Sequence, residues 1–175
     1  MTEKTSKNVL TLVGPDRPGI VRTVSGILSE NGFNIEDSRM AVLGGEFAMI
    51  VLVSGPKPVS DLLSDMEKES GLTIRCREMG EDEGLRPGVP YLVYGYAMDH
   101  PGIVHALARE VAGFGANIEE METSTEPAPV TGTPLFDVRM RVSLPPDVSV
   151  KEVRKRLEEI GEMQNIDISV EPFSH

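Results

Sequence analysis

The sequence predicts an α+β protein built from two copies of a β-α-β-β-α-β unit, each an antiparallel sheet with both helices on one face. An internal repeat is the first reason: Asp16-Arg17-Pro18-Gly19-Ile20-Val21 returns as Asp99-His100-Pro101-Gly102-Ile103-Val104, 83 residues later. The same offset carries Gly32 to Gly115, Asn34 to Asn117, Ile35 to Ile118 and Glu36 to Glu119. The second reason is that apolar spacing alternates between strand and helix periods in the same order within each copy. Composition supplies the third: aromatics make up only 5% of 175 residues and Trp is absent, so the cores must be small and aliphatic.

In the first copy a strand runs from Val9 to Val13 and stops at Gly14-Pro15. Asp16 reads as a helix N-cap with Pro18 in the first turn, where a missing N–H costs nothing. Val21, Val24 and Leu28 then mark one helix face, and Gly32 suits a left-handed C-terminal cap. A second strand from Phe33 to Leu43 meets Gly44-Gly45, the signal for a two-residue hairpin. Phe47 to Val53 is apolar on both faces, which predicts a central strand. After Pro56 and Pro58, Val59, Leu62, Leu63 and Met66 form a second helix ending near Gly71; Leu72, Ile74 and Cys76 alternate as the last strand.

The second copy follows the same order, with strands at Tyr91–Ala97, Asn117–Thr125 and Leu135–Leu144. Its helices run through Val104, Leu107 and Val111, stopped by Gly115, and through Val153, Leu157 and Ile160; Ile166, Ile168 and Val170 form its last strand. Phe47 matches Phe136 at an offset of 89, so this copy has gained six residues between its middle strands. They fall in Glu126–Pro134, where three prolines predict a long, irregular loop. The predicted organisation is a first domain over 5–80, a Gly-, Pro- and charge-rich linker over 81–88 and a second domain over 89–173.

The net charge is −11, and the deficit covers both halves: ten basic against fourteen acidic residues up to 88, seven against fourteen beyond. That balance argues against direct nucleic-acid binding and against adhesion to an anionic membrane. No apolar run approaches the roughly 20 residues of a membrane span, and the N-terminus lacks an apolar signal region, which predicts a cytoplasmic protein. With Cys76 as the one cysteine, no disulfide within the chain can form.

The repeated motif puts a strand end, a turn and a helix start within about six residues. Unpaired N–H groups at such a helix start attract a carboxylate or phosphate. Gly19 and Gly102 let a ligand approach the backbone, Asn34 and Asn117 both donate and accept, and Asp16 and Asp99 accept from an ammonium. The set suits a small zwitterion. The same residues also make good caps and turns without any ligand, and that reading stands beside the first.

Val13 to Val21, followed by Asn31-Gly32-Phe33-Asn34-Ile35-Glu36, resembles the ACT domain, a ferredoxin-like regulatory module that binds amino acids. Both copies fit. The resemblance implies effector sites between the first strand and first helix and against the start of the next strand. It nominates Asp16, Arg17, Pro18, Gly19, Ile20 and Asn34, and then Asp99, His100, Pro101, Gly102, Ile103 and Asn117. It further implies a non-enzymatic, homo-oligomeric regulator of transcription, sensing an amino acid such as glycine or serine and acting through a protein partner such as a transcription factor. The alternative is an assembly module without a metabolite. No cofactor is implied. The copies differ at Arg17 and His100: a guanidinium holds a carboxylate bidentately, whereas an imidazole does so weakly unless protonated.

Other candidates read as structural. His100 and His105, five apart, do not stack on one helix face and lack a third ligand. Cys76 reads as a buried thiol. Glu120 and Glu122 share a strand face with Glu119 opposite, which reads as a solvated edge. Lys151 to Glu162 reads as a charged helix exterior with a Lys155/Glu159 pair. Tyr94 and Tyr96 share a strand face.

Overall fold

The computed structural model describes residues 6–56, 58–80 and 88–173. The predicted linker, except Gly88, lies outside the described residues, as do Thr5 and His175. The chain forms two compact units. In the first, β1 (Ser6–Pro15), α1 (Ile20–Glu30), β2 (Asn34–Leu43), β3 (Glu46–Gly55), α2 (Leu63–Ser70) and β4 (Thr73–Glu78) follow in order. In the second, β5 (Val89–Met98), α3 (Ile103–Gly113), β6 (Asn117–Pro127), β7 (Pro134–Leu144), α4 (Val150–Gln164) and β8 (Ile166–Pro172) repeat it. The sheets have the orders β2-β3-β1-β4 and β6-β7-β5-β8, antiparallel throughout. This is the predicted α+β architecture.

Each core lies between the sheet and its two helices. Leu10 and Leu12 of β1, Val51 of β3, Leu28 of α1 and Met66 of α2 are wholly buried in the first unit. Val93, Val138, Met140, Leu107 and Leu157 fill the same space in the second. β3 is central, as its apolar run predicts, but only one of its faces is covered: Phe47, Met49, Val51 and Val53 are buried while Ile50 stays 54% exposed.

The helix start differs from the sequence expectation. The N-cap of α1 is Gly19, in the left-handed region at φ 93°, and no side chain caps it. The backbone N–H of Asp16 instead donates to the Gly45 carbonyl at 2.8 Å, so Asp16 closes the sheet rather than opening the helix. The helix begins at Ile20, and its buried row is Ile20, Val24 and Leu28, spaced i, i+4, i+8, while Val21 is 44% exposed. The C-terminal end matches expectation. Gly32 is left-handed, its N–H bonds the Ser29 carbonyl and that of Phe33 bonds Leu28, a Schellman cap.

Three further differences have local causes. Val59–Leu62 forms a 3₁₀ turn, and regular helix starts only at Leu63. The extra residues of the second unit are more ordered than their prolines predict: β6 and β7 extend into them, with Pro127 and Pro134 opposed at the last rung. There the ladder needs no N–H from either. Bonds from Ala128 N–H to Thr133 and from Gly132 N–H to Ala128 close the tip. On α4, Glu159 pairs with Arg156 at 3.2 Å and not with Lys155, because Arg156 also reaches Glu110 at 2.9 Å and lies between the two acids. No helix among the described residues is long and apolar enough to cross a membrane.

Two helical glycines separate propensity from packing. A Cβ at Gly26 in α1 meets nothing within 4 Å, whereas one at Gly161 in α4 lies 2.5 Å from the Ile166 carbonyl. Gly26→Ala is expected to stabilise by about 0.5–1 kcal/mol and Gly161→Ala to destabilise, both read by thermal unfolding.

Candidate functional site

The repeated turn has the same frame in both units. In the second, the Asp99 N–H donates to the Pro134 carbonyl at 2.9 Å, Gly102 is left-handed at φ 99°, and Ala106 N–H to Gly102 is the first helical bond. The N–H groups of Ile103, Val104 and His105 therefore face outward with no intrahelical acceptor. A Cβ at Gly19 or Gly102 would meet nothing within 4 Å, so the backbone is open at both turns. Ile20 and Ile103 are buried and anchor the helix starts in their cores.

Arg17 and His100 share a role that spacing did not reveal. Arg17 Nη2 donates to the Glu69 carbonyl in the last turn of α2 at 2.7 Å. His100 Nε2 lies 3.1 Å from the Gln164 carbonyl at the end of α4, and its Nδ1 lies 3.2 Å from the Pro101 carbonyl. Each side chain thus ties its turn to the carbonyl end of the unit's second helix, where positive charge is favoured. A neutral imidazole donates to one of those carbonyls at a time; the protonated ring donates to both.

The start of the next strand diverges. Asn34 Nδ2 donates to Glu36 Oε1 at 3.3 Å, and Ser54 Oγ donates to the same oxygen at 2.6 Å. The Ser54 bond, then the Asn34 bond and the charge of Lys7 hold the Glu36 carboxyl below the usual carboxylate range. Asn117 makes no such bond among the described residues. A register shift between Ile118 and Glu120 puts Glu119 and Glu120 on the same side, 3.3 and 2.9 Å from Arg141. Glu119 is therefore not opposite Glu120; the bulge breaks the alternation. The first unit has its matching shift between Ile35 and Asp37.

The described turns include one open concavity, of about 530 Å³, at the start of α3. It is lined by His100, Gly102, Ile103, Val104, His105, Ala108 and Phe136. His100 precedes the helix, so the helix-face argument against His105 does not apply, and both imidazoles border one space. No group of three or more His, Cys, Asp or Glu among the described residues is placed to hold a metal. His100, Gly102 and Ile103 come together here; Asp99, Pro101 and Asn117 do not line the space. Val104, His105, Ala108 and Phe136 lie outside the residues the repeat predicts for the site. Phe136 is legible as the partner of Phe47 and Val104 as the last residue of the repeated motif, whereas His105 and Ala108 follow only from the helix start. In the first unit Asp16, Arg17, Pro18, Gly19 and Ile20 form the turn, with Arg22 and Ser25 at the positions of His105 and Ala108. Cys76 is half-buried, its Sγ 3.7 Å from Asn8 Oδ1, and burial, then the charge of Glu78, pushes the thiol up.

Both units are similar to known proteins. Residues 8–77 and 93–171 each match an ACT domain, so the chain belongs to the ACT-domain family as a tandem pair. It is similar to the glycine cleavage system transcriptional repressor of Escherichia coli (strain K12), 37% identical over 130 residues that cover 69% of this chain and 65% of that protein. The chain thus spans just under two-thirds of that relative. A crystal structure of an unknown protein from Galdieria sulphuraria is 36% identical, with a TM-score of 0.87 over 98% of this chain and 100% of that one. Phosphoserine phosphatase SerB2 of Mycobacterium tuberculosis (strain ATCC 25618 / H37Rv) is 26% identical over 174 residues, 94% of this chain but 40% of the phosphatase.

Arg17→Ala is expected to cost about 1 kcal/mol of stability, measured by denaturant unfolding, through loss of the bond to Glu69. Because the folded Glu36 pKa is depressed, its contribution is present above the ordinary carboxylate value of about 4.3 and fades as pH falls through the folded value. Ser54→Ala should raise the Glu36 pKa, followed by NMR titration of its carboxyl.

Proposed function

We propose that this chain is a non-catalytic regulator, similar in action to the glycine cleavage repressor, that senses a small amino acid and controls transcription through a protein partner. The concavity at the start of α3 carries this reading. A ligand carboxylate would take the free N–H groups of Ile103, Val104 and His105, with the His105 imidazole adding charge when protonated. Ile103 and Phe136 would bound a small side chain, which favours glycine or serine. Asp99 and Asn117 flank this site, and the first unit's counterpart is Asp16, Arg17, Pro18, Gly19, Ile20 and Asn34. Arg17 and His100 enter these sites as braces of the turn more than as free carboxylate receptors. The net charge of −11 supports action through protein contact. A ligand that prefers one conformation shifts the population that meets the partner.

Thermal unfolding with added glycine, serine or other amino acids tests this. A ligand at about 100 times its Kd should stabilise by roughly 2.7 kcal/mol. Ala108→Leu, which fills the concavity, should abolish the shift; no shift with any amino acid in the unaltered protein would sink the sensing reading.

A second reading, an assembly module without a metabolite, is favoured by one observation: every residue of β2 is exposed, with Met40 at 51% and Leu43 at 78%. Asn34→Ala separates the two in light scattering and calorimetry. Loss of ligand binding with an unchanged mass favours sensing, and loss of the oligomer favours assembly.

A further inference from the structure

The second unit's sheet has a face its helices do not cover. Alternation along β5 sends Val93, Gly95 and Ala97 into the core and Tyr94, Tyr96 and Met98 to that open face. Two guanidinium groups already lie on aromatic rings of this unit: Arg139 over Tyr94 at 5.9 Å and Arg141 over Phe173 at 5.5 Å. Arg141 is also paired with the carboxylates of Glu119 and Glu120. Ring and carboxylates together hold a cation better than either alone.

Two residues further along β5 the same chemistry recurs without its cation. Tyr96 is 47% exposed and stands in register with Asp137 of β7 on one side and Asp167 of β8 on the other. The Cβ atoms of directly opposed residues on neighbouring strands are about 5 Å apart, which places one carboxylate-bearing residue on each side of Tyr96 on the same sheet face. Neither makes a hydrogen bond or ion pair among the described residues, and Met98 beside them is 64% exposed. The corresponding residues of the first unit are Val13, Ala48 and Thr73, which carry neither ring nor charge. The arrangement is therefore a property of the second unit and not of the shared fold.

We infer that this open face docks an arginine-bearing segment of a partner protein, one guanidinium stacking on Tyr96 between Asp137 and Asp167. Arginine fits better than lysine because its planar group stacks and bonds a carboxylate bidentately in the same pose. The carboxylates repel nucleic-acid phosphate, and the net charge of −11 steers a basic partner toward the chain. The inference rests on the partner-mediated reading above only in expecting that a protein partner exists; the face itself is separate from the concavity at α3.

The test titrates a labelled Gly-Arg repeat peptide, and its Gly-Lys counterpart, into the full chain at low and physiological ionic strength. Tyr96→Ala and the double variant Asp137→Asn/Asp167→Asn should each weaken the arginine peptide roughly tenfold. The lysine peptide should bind less well. Glu158→Gln/Glu162→Gln on α4 removes the same charge elsewhere and should change affinity less than about twofold by screening alone. Equal losses in the two double variants, or none in Tyr96→Ala, would overturn the proposal. So would a dimeric unaltered protein that becomes monomeric in Tyr96→Ala, since a second copy would then be the occupant. The amino-acid thermal shift is measured on the same variants. A retained shift with no arginine preference rejects the face alone, and peptide binding with no shift rejects sensing alone.

Discussion

Everything near the candidate site depends on one backbone conformation, the left-handed glycine between the first strand and the first helix of each unit. At φ 93° and 99°, Gly19 and Gly102 occupy a region that side chains with a Cβ enter only under strain. That conformation lets the chain leave the central strand and enter a helix after a four-residue turn. It delays the helix to Ile20 or Ile103, which points an isoleucine into the core and leaves three N–H groups directed away from it. The bonds from Asp16 and Asp99 to the neighbouring hairpins fix the turn from the other side. Sheet, core and site meet at this turn, so its geometry cannot drift without loosening all three.

On that shared frame the two units have diverged in chemistry while keeping positions. Arg17 and His100 reach the same place, the carbonyl end of the second helix, with different groups. A guanidinium there is a permanent cation, whereas an imidazole changes its hydrogen-bonding capacity with protonation. The bulged glutamates show the same pattern: Glu36 is satisfied by Ser54, a short neutral donor, and Glu119 by the charge of Arg141. The open concavity lies where the second unit has His105 and Ala108, and the first unit has the larger Arg22 and Ser25 at these positions.

The repeat, the element order and the glycine stops were legible in the sequence because each rests on local chemistry that recurs in register. Gly32 and Gly115 close their helices as their positions imply. What is not legible is which of two adjacent apolar residues faces the core. The i, i+3, i+7 spacing of Val21, Val24 and Leu28 and the i, i+4, i+8 spacing of Ile20, Val24 and Leu28 both fit a helix face, and the second is the buried one. The bulge at Glu119 adds one unpaired residue, which reverses every face assignment before it and is invisible to a period-two reading. Arg17 and His100 sit in the repeated turns, but the carbonyls they bond lie 52 and 64 residues away. No spacing rule reaches so far. Phe136 was in view as half of a repeat pair, yet its place beside the concavity follows from the β5–β7 register, which sequence alone does not set.

β2 and β6, the equivalent edge strands of the two sheets, also differ in how they are guarded. β6 carries Glu119, Glu120, Glu122 and Glu126 and ends in a proline, features that discourage another strand from pairing with it. β2 ends in Met40, Val42 and Leu43, exposed and without charge, beside a two-glycine turn. Of these two edges, β2 is therefore the one on which pairing with a strand of another molecule, and so aggregation, is expected to begin.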